Sequence, residues 1–190
     1  MPKTYPDAIE FLLNRRSRPA KTLSLPIPNR DEILKFLTAA ARSPDHGKLE
    51  PWRFIVLSKP KLTELADLVE TRAAELGYDQ EKTQKGKSQF TDGNLAVAVI
   101  EVQKPSDKIP AIEQTYSAGA VCLALLNIAL ASGWGANWLS GWPSHDRAFA
   151  QIGLGLSSNE RIAGIIYFGT ETSTPPDRPR PNLDNIVTWQ

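Results

Sequence analysis

The chain has 190 residues, with 22 lysines and arginines against 21 acidic residues and a formal net charge of +1. Such a near-balanced charge argues against a nucleic-acid binder and against a protein of the membrane surface, since both usually carry a basic excess. The length predicts a single domain over residues 1–190, and 41% of hydrophobic residues is enough for a real core.

Two helices are predicted near the start of the chain. The first covers about residues 4–16, with Asp7 placed to cap it. The second begins at Asn29, where Glu32 three residues later completes a capping box, and it ends before Pro44. A segment rich in charge and proline follows each helix, so each helix presents a polar loop at its carboxyl end.

Apolar patterns predict further helices and strands after the second helix. The nearly continuous apolar run 95–102 indicates a strand in the middle of a sheet. Residues 111–132 predict a long helix that is apolar almost all round, hence buried or at a subunit interface. An amphipathic helix over 62–76 is stopped by Gly77, and Ser144 is expected to cap a short helix. The other predicted strands are residues 54–57, 136–139 and 162–168.

Residues 78–94 are polar and rich in lysine, and they carry two glycines. We therefore predict a long loop, which is either a lid or binding loop or a mobile solvated excursion. Helices and strands interleave along the chain, but not strictly. This order favours an α+β fold, with helices packed on a sheet, over a doubly wound parallel sheet.

The single cysteine, Cys122, lies in an apolar helical pattern and can form no internal disulfide, which fits a reducing compartment. The first seven residues lack the apolar core of a signal peptide. The longest apolar run, 118–131, is broken by Asn127 and is too short to span a bilayer. We therefore expect a cytoplasmic protein.

Several common catalytic and cofactor motifs are missing. The chain has no Gly-x-Gly-x-x-Gly and no P-loop sequence, so neither of these phosphate cradles is expected. His46 and His145 stand far apart with no cysteine partner, and we expect no metal site. No serine stands in a nucleophile elbow.

Two arginine clusters could hold a phosphate. Arg15 and Arg16 precede Ser17, and Arg178 and Arg180 stand among prolines near the end of the chain. Arginine meets a phosphate with a bidentate fork, and serine adds a short hydrogen bond. Each cluster taken alone is explained as well by helix capping or by a solvated arm. Together they could hold one phosphate from two sides.

Two further segments could meet the planar part of an anionic aromatic ligand. The loop between the second helix and the strand at 54–57 offers positive charge at Arg42, His46 or Lys48. The strand end 138–141 finishes in Gly141, which allows backbone N–H groups to approach a flat ligand closely. The alternatives are an ordinary surface histidine and tryptophans that only fill the core.

The order of these segments resembles the nitroreductase family. Members open with a helix ending in Arg-x-Ser and continue with a loop of the form Pro-Ser-x-x-Asn-x-Gln-Pro-Trp. Here Pro44, Pro51 and Trp52 match this loop, while Lys48 and Glu50 replace the usual asparagine and glutamine, a departure that bears on contacts along the flavin edge. The resemblance extends over nearly the whole chain and fits a compact single-domain subgroup.

The resemblance implies an intertwined homodimer built on a central mixed or antiparallel sheet, with the extension 171–190 wrapping the partner subunit. A surface arm on its own chain is the alternative for this extension. It also implies FMN, with the phosphate held by Arg15, Ser17 and Arg180. Arg42 and His46 would reach the flavin of the other subunit. The implied cofactor-binding residues are Arg15, Arg16, Ser17, Arg42, His46, Lys48, Trp138, Leu139, Ser140, Gly141, Arg178 and Arg180.

The implied activity is the reduction of nitroaromatics, quinones or similar small aromatic acceptors by NADH or NADPH. Hydride would pass through flavin N5 in a ping-pong sequence, without a catalytic side chain. Three alternatives stay open: another flavin reaction such as dehydrogenation, a flavin-binding or storage protein without turnover, and a phosphate-ligand module without a redox role.

Overall fold

The structure is a computed structural model that describes residues 4–190. Seven helices and five strands are defined in this part of the chain. The helices are α1 (Pro6–Asn14), α2 (Arg30–Ala40), α3 (Lys59–Glu75), α4 (Gln80–Thr91), α5 (Ala111–Ala131), α6 (Trp142–His145) and α7 (Arg147–Leu154). The strands are β1 (Leu23–Ser24), β2 (Trp52–Ser58), β3 (Leu95–Val102), β4 (Gly135–Leu139) and β5 (Glu160–Glu171).

The five strands form one antiparallel sheet. Its order is β1-β5-β3-β2, and β4 also pairs with β5. The α+β prediction is confirmed, and of the two expected sheet types the antiparallel one is present. Strand β3 lies inside the sheet, as its uninterrupted apolar sequence predicts, and all eight of its residues are buried.

Strand β3 supplies both hydrophobic cores, because its successive side chains point to opposite faces of the sheet. Ala98 and Ile100 belong to the core that α3 and α7 cover, where Phe90 and Phe149 pack with ring centroids 5.4 Å apart. Val99 belongs to the core on the other face, beneath α2 and α5. The sheet is therefore a scaffold covered on both sides within one chain.

The capping box of α2 is present as predicted. The Asn29 side-chain oxygen accepts hydrogen bonds from the backbone nitrogens of Asp31 and Glu32 at 2.9 and 3.0 Å. The Glu32 carboxylate accepts one from the Asn29 backbone nitrogen at 2.8 Å. Its other oxygen accepts a bond from Trp134 Nε1 at 3.1 Å, which ties the start of α2 to the segment after α5.

The loop prediction for residues 78–94 is wrong, because most of this segment is helix α4. Asp79 caps the helix by accepting a hydrogen bond from the Lys82 backbone nitrogen at 2.8 Å. Only Gly86 and Phe90 are buried, so the helix lacks a long apolar stripe that would reveal it in the sequence. Tertiary packing of these two positions places it on the protein.

Two cap predictions are also wrong, and strand β1 was not predicted. Asp7 lies inside the first turn of α1, where Tyr5 is the N-cap without a side-chain cap bond. Ser144 lies within α6, whereas Asp146 caps α7 by accepting a bond from the Phe149 backbone nitrogen at 3.1 Å. Strand β1 has only two residues, too few for a periodic pattern.

Helix α5 has the length and composition of a membrane-spanning helix. In this structure it packs against the sheet and α2, and its buried residues include Val121, Cys122 and Leu125. These contacts are those of a core helix. Burial raises the pKa of the Cys122 thiol to about 12, so this side chain remains protonated and inert at neutral pH.

The two chain ends bury little. Helix α1 has no buried residue, and Leu12 and Leu13 are 59% and 69% exposed. The tail after β5 leaves Ile186 and Trp189 66% and 93% exposed. Neither chain end contributes a side chain to the two hydrophobic cores of the sheet.

Candidate functional site

The end of α1 and the tail meet at a cluster of arginines. Arg15 Nη2 donates a hydrogen bond to Ser17 Oγ at 2.9 Å, and Arg16 Nε donates to the Pro176 carbonyl at 3.4 Å. Arg180 Nη2 donates to the Leu13 carbonyl at 3.5 Å. The structure therefore places Arg15, Arg16, Ser17 and Arg180 together, although the arginines come from opposite ends of the chain.

The cluster is short of negative charge. Burial, followed by the charges of Arg16 and Arg180, lowers the pKa of Arg15. Arg15 Nε is buried and has no hydrogen-bond partner among residues 4–190. Two carboxylates pair with neighbouring arginines and not with Arg15: Asp177 with Arg180 at 3.0 Å, and Glu171 with Arg18 at 2.9 Å. An anion bound at Arg15 would satisfy the open donor and relieve the repulsion.

A cavity of about 300 Å³ opens beside this cluster. Arg15, Arg16 and Arg18 line it together with the apolar or aromatic side chains of Leu130 and Trp134. Sequence reasoning did not select Arg18, Trp134 or Glu171 for this site. The repeated arginines at 15, 16 and 18 could have indicated this site from the sequence. Trp134 and Glu171 could not, because only the tertiary fold brings them to the cavity.

A second cavity, of about 640 Å³, lies at the loop after α2. Arg42 and Lys48 both line it, and neither forms an ion pair within the described chain. The backbone here is left-handed at Gly47, Lys48 and Glu50, with φ of 72°, 56° and 48°. A non-glycine residue in this region is strained, and such strain is common at ligand sites.

His46 belongs to the same loop but does not line that cavity. Its Nδ1 lies 2.7 Å from Glu113 Oε2 at the start of α5. Ser117 Oγ donates to the Pro44 carbonyl at 2.5 Å, and Asp45 Oδ2 accepts a bond from the Glu50 backbone nitrogen at 2.7 Å. These contacts fasten the loop to α5 and to itself.

The strand end 138–141 divides between the core and a third cavity. The Trp138 indole covers Gly164 of β5, where any side chain would collide with it, and Leu139 packs against the core. Ser140 and Gly141 line a cavity of about 560 Å³ that α4 closes on the other side. A Cβ atom at Gly141 would displace the end of the Gln89 side chain.

The predicted site residues thus fall into three groups around three cavities of one chain. Arg178 joins none of them, since its side chain is exposed and forms no hydrogen bond or ion pair within residues 4–190. No group of three or more His, Cys, Asp or Glu side chains suited to a metal ion forms within residues 4–190.

An antiparallel sheet with helices on both faces defines an α+β protein, and the arginine cluster at its exposed chain ends is suited to an anion. The model of the nitroreductase family matches residues 12–170, and the chain belongs to this family of oxidoreductases. The resemblance drawn from the loops is thereby confirmed.

Individual relatives agree with this assignment. YdjA of Escherichia coli strain K12, named as a candidate NAD(P)H nitroreductase, is 30% identical over 164 residues, which cover 86% of this chain and 88% of YdjA. A nitroreductase-like family protein from Bacillus cereus has a TM-score of 0.80 at 21% identity and covers 100% of this chain and 99% of its own. A candidate nitroreductase from Desulfovibrio desulfuricans, solved in complex with FMN, has a TM-score of 0.76 at 17% identity, covering 99% and 98% of the two chains. Both structures show the same fold.

Proposed function

We propose that the protein is an FMN-dependent NAD(P)H oxidoreductase that reduces nitroaromatics, quinones or similar planar acceptors. Its family, the name of its relative YdjA and the FMN bound to the Desulfovibrio desulfuricans protein support this activity.

The arginine cluster carries this proposal. Arg15, Ser17 and Arg180 would hold the FMN phosphate, with Arg16 beside them, and Arg178 would stay outside this group. A phosphate monoester brings nearly two negative charges and several acceptor oxygens. It would engage the buried Arg15 Nε and offset the charge repulsion that lowers the Arg15 pKa. The residues present therefore fit the phosphate end of FMN.

When bound, FMN would supply the two-electron chemistry, taking hydride at N5 from the nicotinamide and passing it to the acceptor in a ping-pong sequence. The chain's own residues would bind and tune it. Arg42 and Lys48 line one cavity together with Asp45 and Glu50, and the two cations would stabilise negative charge on a reduced ring there. His46 would act through the loop, which it fastens to α5. Trp138, Leu139, Ser140 and Gly141 would lie against the ring.

We further propose a homodimer with two shared sites. The arginine cluster and the loop of Arg42 line separate cavities of one chain, which is compatible with a flavin that takes these two groups from two chains. Residues 171–190 would wrap the partner, which would cover the exposed side chains of α1, the tail and Tyr116 of α5. The buried cysteine and the core position of α5 are compatible with a cytoplasmic enzyme.

The visible spectrum of the purified protein, before and after NADPH under anaerobic conditions, tests the activity. We expect a yellow protein that NADPH bleaches and that a quinone or nitroaromatic reoxidises. A yellow protein that neither NADH nor NADPH bleaches would instead indicate flavin storage, and a colourless protein without FMN affinity would indicate another phosphate ligand.

Light scattering tests the dimer. We expect about twice the chain mass of 21.0 kDa. A monodisperse monomer that binds FMN and turns over would contradict both the shared site and the wrapping role of the tail.

A further inference from the structure

The loop after α2 contains a turn that its own sequence disfavours. Lys48 and Glu50 both have positive φ, and each carries a side chain that makes this left-handed conformation unfavourable. Such a turn persists only where the surrounding contacts hold it. The contacts around residues 47–50 therefore decide where the side chains of Lys48 and Glu50 lie.

Asp45 supplies two of these contacts. Its Oδ2 accepts a hydrogen bond from the Glu50 backbone nitrogen at 2.7 Å, and its carbonyl accepts one from the Lys48 backbone nitrogen at 3.5 Å. A backbone N–H that donates to a carboxylate forms a stronger bond than two neutral groups do. Asp45 is half-buried, whereas Lys48 and Glu50 are exposed. One partly sheltered side chain thus holds the far end of the turn.

Both neighbours of Asp45 are attached to helix α5. Ser117, which is buried, donates from Oγ to the Pro44 carbonyl at 2.5 Å. Glu113 lies one helical turn earlier, and its Oε2 is 2.7 Å from His46 Nδ1. Because α5 packs against the sheet, these two bonds fix the position of Asp45 relative to the core.

The turn keeps opposite charges close together without pairing them. Four charged side chains line the cavity at this loop: Arg42, Asp45, Lys48 and Glu50. No ion pair joins any two of them within residues 4–190. A relaxed loop would be free to bring Lys48 and Glu50 together, and the Lys48 charge would then be less available to a ligand.

We propose that Asp45 is a positioning residue of the flavin site, which holds the turn 47–50 so that the Lys48 ammonium stays unpaired and faces the ring. In this role Asp45 does not touch the flavin. It acts through the Glu50 N–H and through the backbone of Lys48. The proposal rests on the proposed function, because that function brings Lys48 to the ring.

Two variants separate the position of the Asp45 side chain from its charge. Asp45→Asn keeps an acceptor oxygen of the same shape and loses the charge, whereas Asp45→Ala loses both. Amide hydrogen exchange at Glu50 is measured by NMR on the protein as purified. We expect exchange to be about tenfold faster in Asp45→Ala and close to wild type in Asp45→Asn. Asp107→Ala is the control, since this exposed acid forms no hydrogen bond or ion pair in the described part of the chain.

The midpoint potential of bound FMN tests the role of Asp45 at the site. Lys48→Ala should lower the potential in the wild-type background, because it removes a cation from the ring. It should leave the potential unchanged in the Asp45→Ala background, where Lys48 no longer faces the ring, and should still lower it in the Asp45→Asn background. Additive effects of Asp45→Ala and Lys48→Ala would overturn the proposal, and so would an Asp45→Asn variant that behaves like Asp45→Ala.

Failure of the proposed function gives a different result. A wild-type protein that binds no FMN refutes that function and the role of Asp45 at a flavin, although faster exchange in Asp45→Ala would still identify Asp45 as the residue that holds the turn. A wild-type protein that binds and reduces FMN, with the same Glu50 exchange in Asp45→Ala, contradicts the Asp45 proposal alone.

Discussion

Strand β3 and the two chain ends differ in the burial of their apolar residues. Every residue of β3 is buried, including Glu101 at 2% exposure. Helix α1 buries none, although its sequence contains Ile9, Leu12 and Leu13. The sheet is covered by helices of the same chain, whereas the apolar side chains of the two chain ends are exposed in a single chain.

The arginine cluster lies in the open region, which we define as helix α1 and the tail after β5. Arg15 follows α1 directly and Arg180 belongs to the tail. The candidate anion site therefore lies where the two chain ends leave apolar side chains exposed. The buried sheet would determine the fold, and the exposed chain ends would bind a ligand and a second chain. This division predicts which variants change stability alone and which change binding or the oligomeric state.

The largest expected effect on stability comes from a substitution in the core beneath the sheet. Phe149→Ala removes a ring that is 0% exposed and packs against Phe90, so we expect a loss of about 3–5 kcal/mol in the free energy of unfolding. Leu12→Ala, at a residue 59% exposed, should cost less than about 0.5 kcal/mol in an isolated chain. Urea unfolding at two protein concentrations separates them, because only the Leu12 effect should depend on concentration in a dimer. Equal, concentration-independent losses would contradict the division.

Arg15→Ala tests the arginine cluster in the open region. Loss of a charge-assisted contact costs about 1.5–3 kcal/mol, so FMN affinity should fall about tenfold to a hundredfold. Fluorescence titration of apoprotein measures this, and riboflavin, which lacks the phosphate, should bind as to wild type. Arg180→Ala should behave like Arg15→Ala, whereas Arg178→Ala is the control, since its side chain lies outside the cluster. A similar loss of riboflavin affinity would show that these arginines do not read phosphate.

Glu160→Gln tests an ion pair that belongs to the sheet. The bidentate hydrogen bonds from Arg53 lower the pKa of Glu160 to about 2. The folded pKa is below the unfolded value of about 4.3, so the pair stabilises the fold above that pH and is lost as the pH falls towards 2. The variant should be about 1–2 kcal/mol less stable at pH 7, and the difference should shrink steadily as the pH falls from about 4 towards 2. A gap that persists in acid, or that varies with protein concentration, would exclude this explanation.

Arg42→Ala has the smallest expected effect and tests the loop after α2. Loss of a cation near the ring should lower the FMN midpoint potential by about 20 mV, which is about 1 kcal/mol for a two-electron couple, and should slow anaerobic reduction by NADPH. FMN should remain bound. Mixing Arg42→Ala chains with Arg15→Ala chains should restore one intact site per heterodimer. No rescue on mixing would place the loop and the phosphate cluster in the same chain.

Local signals predicted the parts of the fold that local forces determine. The capping box of α2 needs only Asn29 and Glu32, and β3 is identified by its own apolar run. Helix α4 depends on Trp142, which lies far along the chain, so no local pattern reveals it. Ser144 and Asp146 are both ordinary capping residues, and only the path of the backbone decides that Asp146 acts as the cap.

The candidate site was predictable as residue types but not as an arrangement. The resemblance selected Arg15, Ser17 and Arg180, and these do come together. Nothing in the spacing of Arg178 and Arg180 distinguishes them, because the turn of the tail decides which one reaches α1. Likewise, His46 was selected by its charge and by the resemblance, while its position is set by Glu113 on α5.

The inert thiol of Cys122 makes the molecule well suited to spectroscopic labelling. The chain has one cysteine, which is fully buried. A cysteine introduced at an exposed tail position such as Trp189 would therefore be the sole thiol that reacts with a maleimide dye. Energy transfer between two such dyes would report the distance between the tails of associated chains and follow subunit exchange in real time.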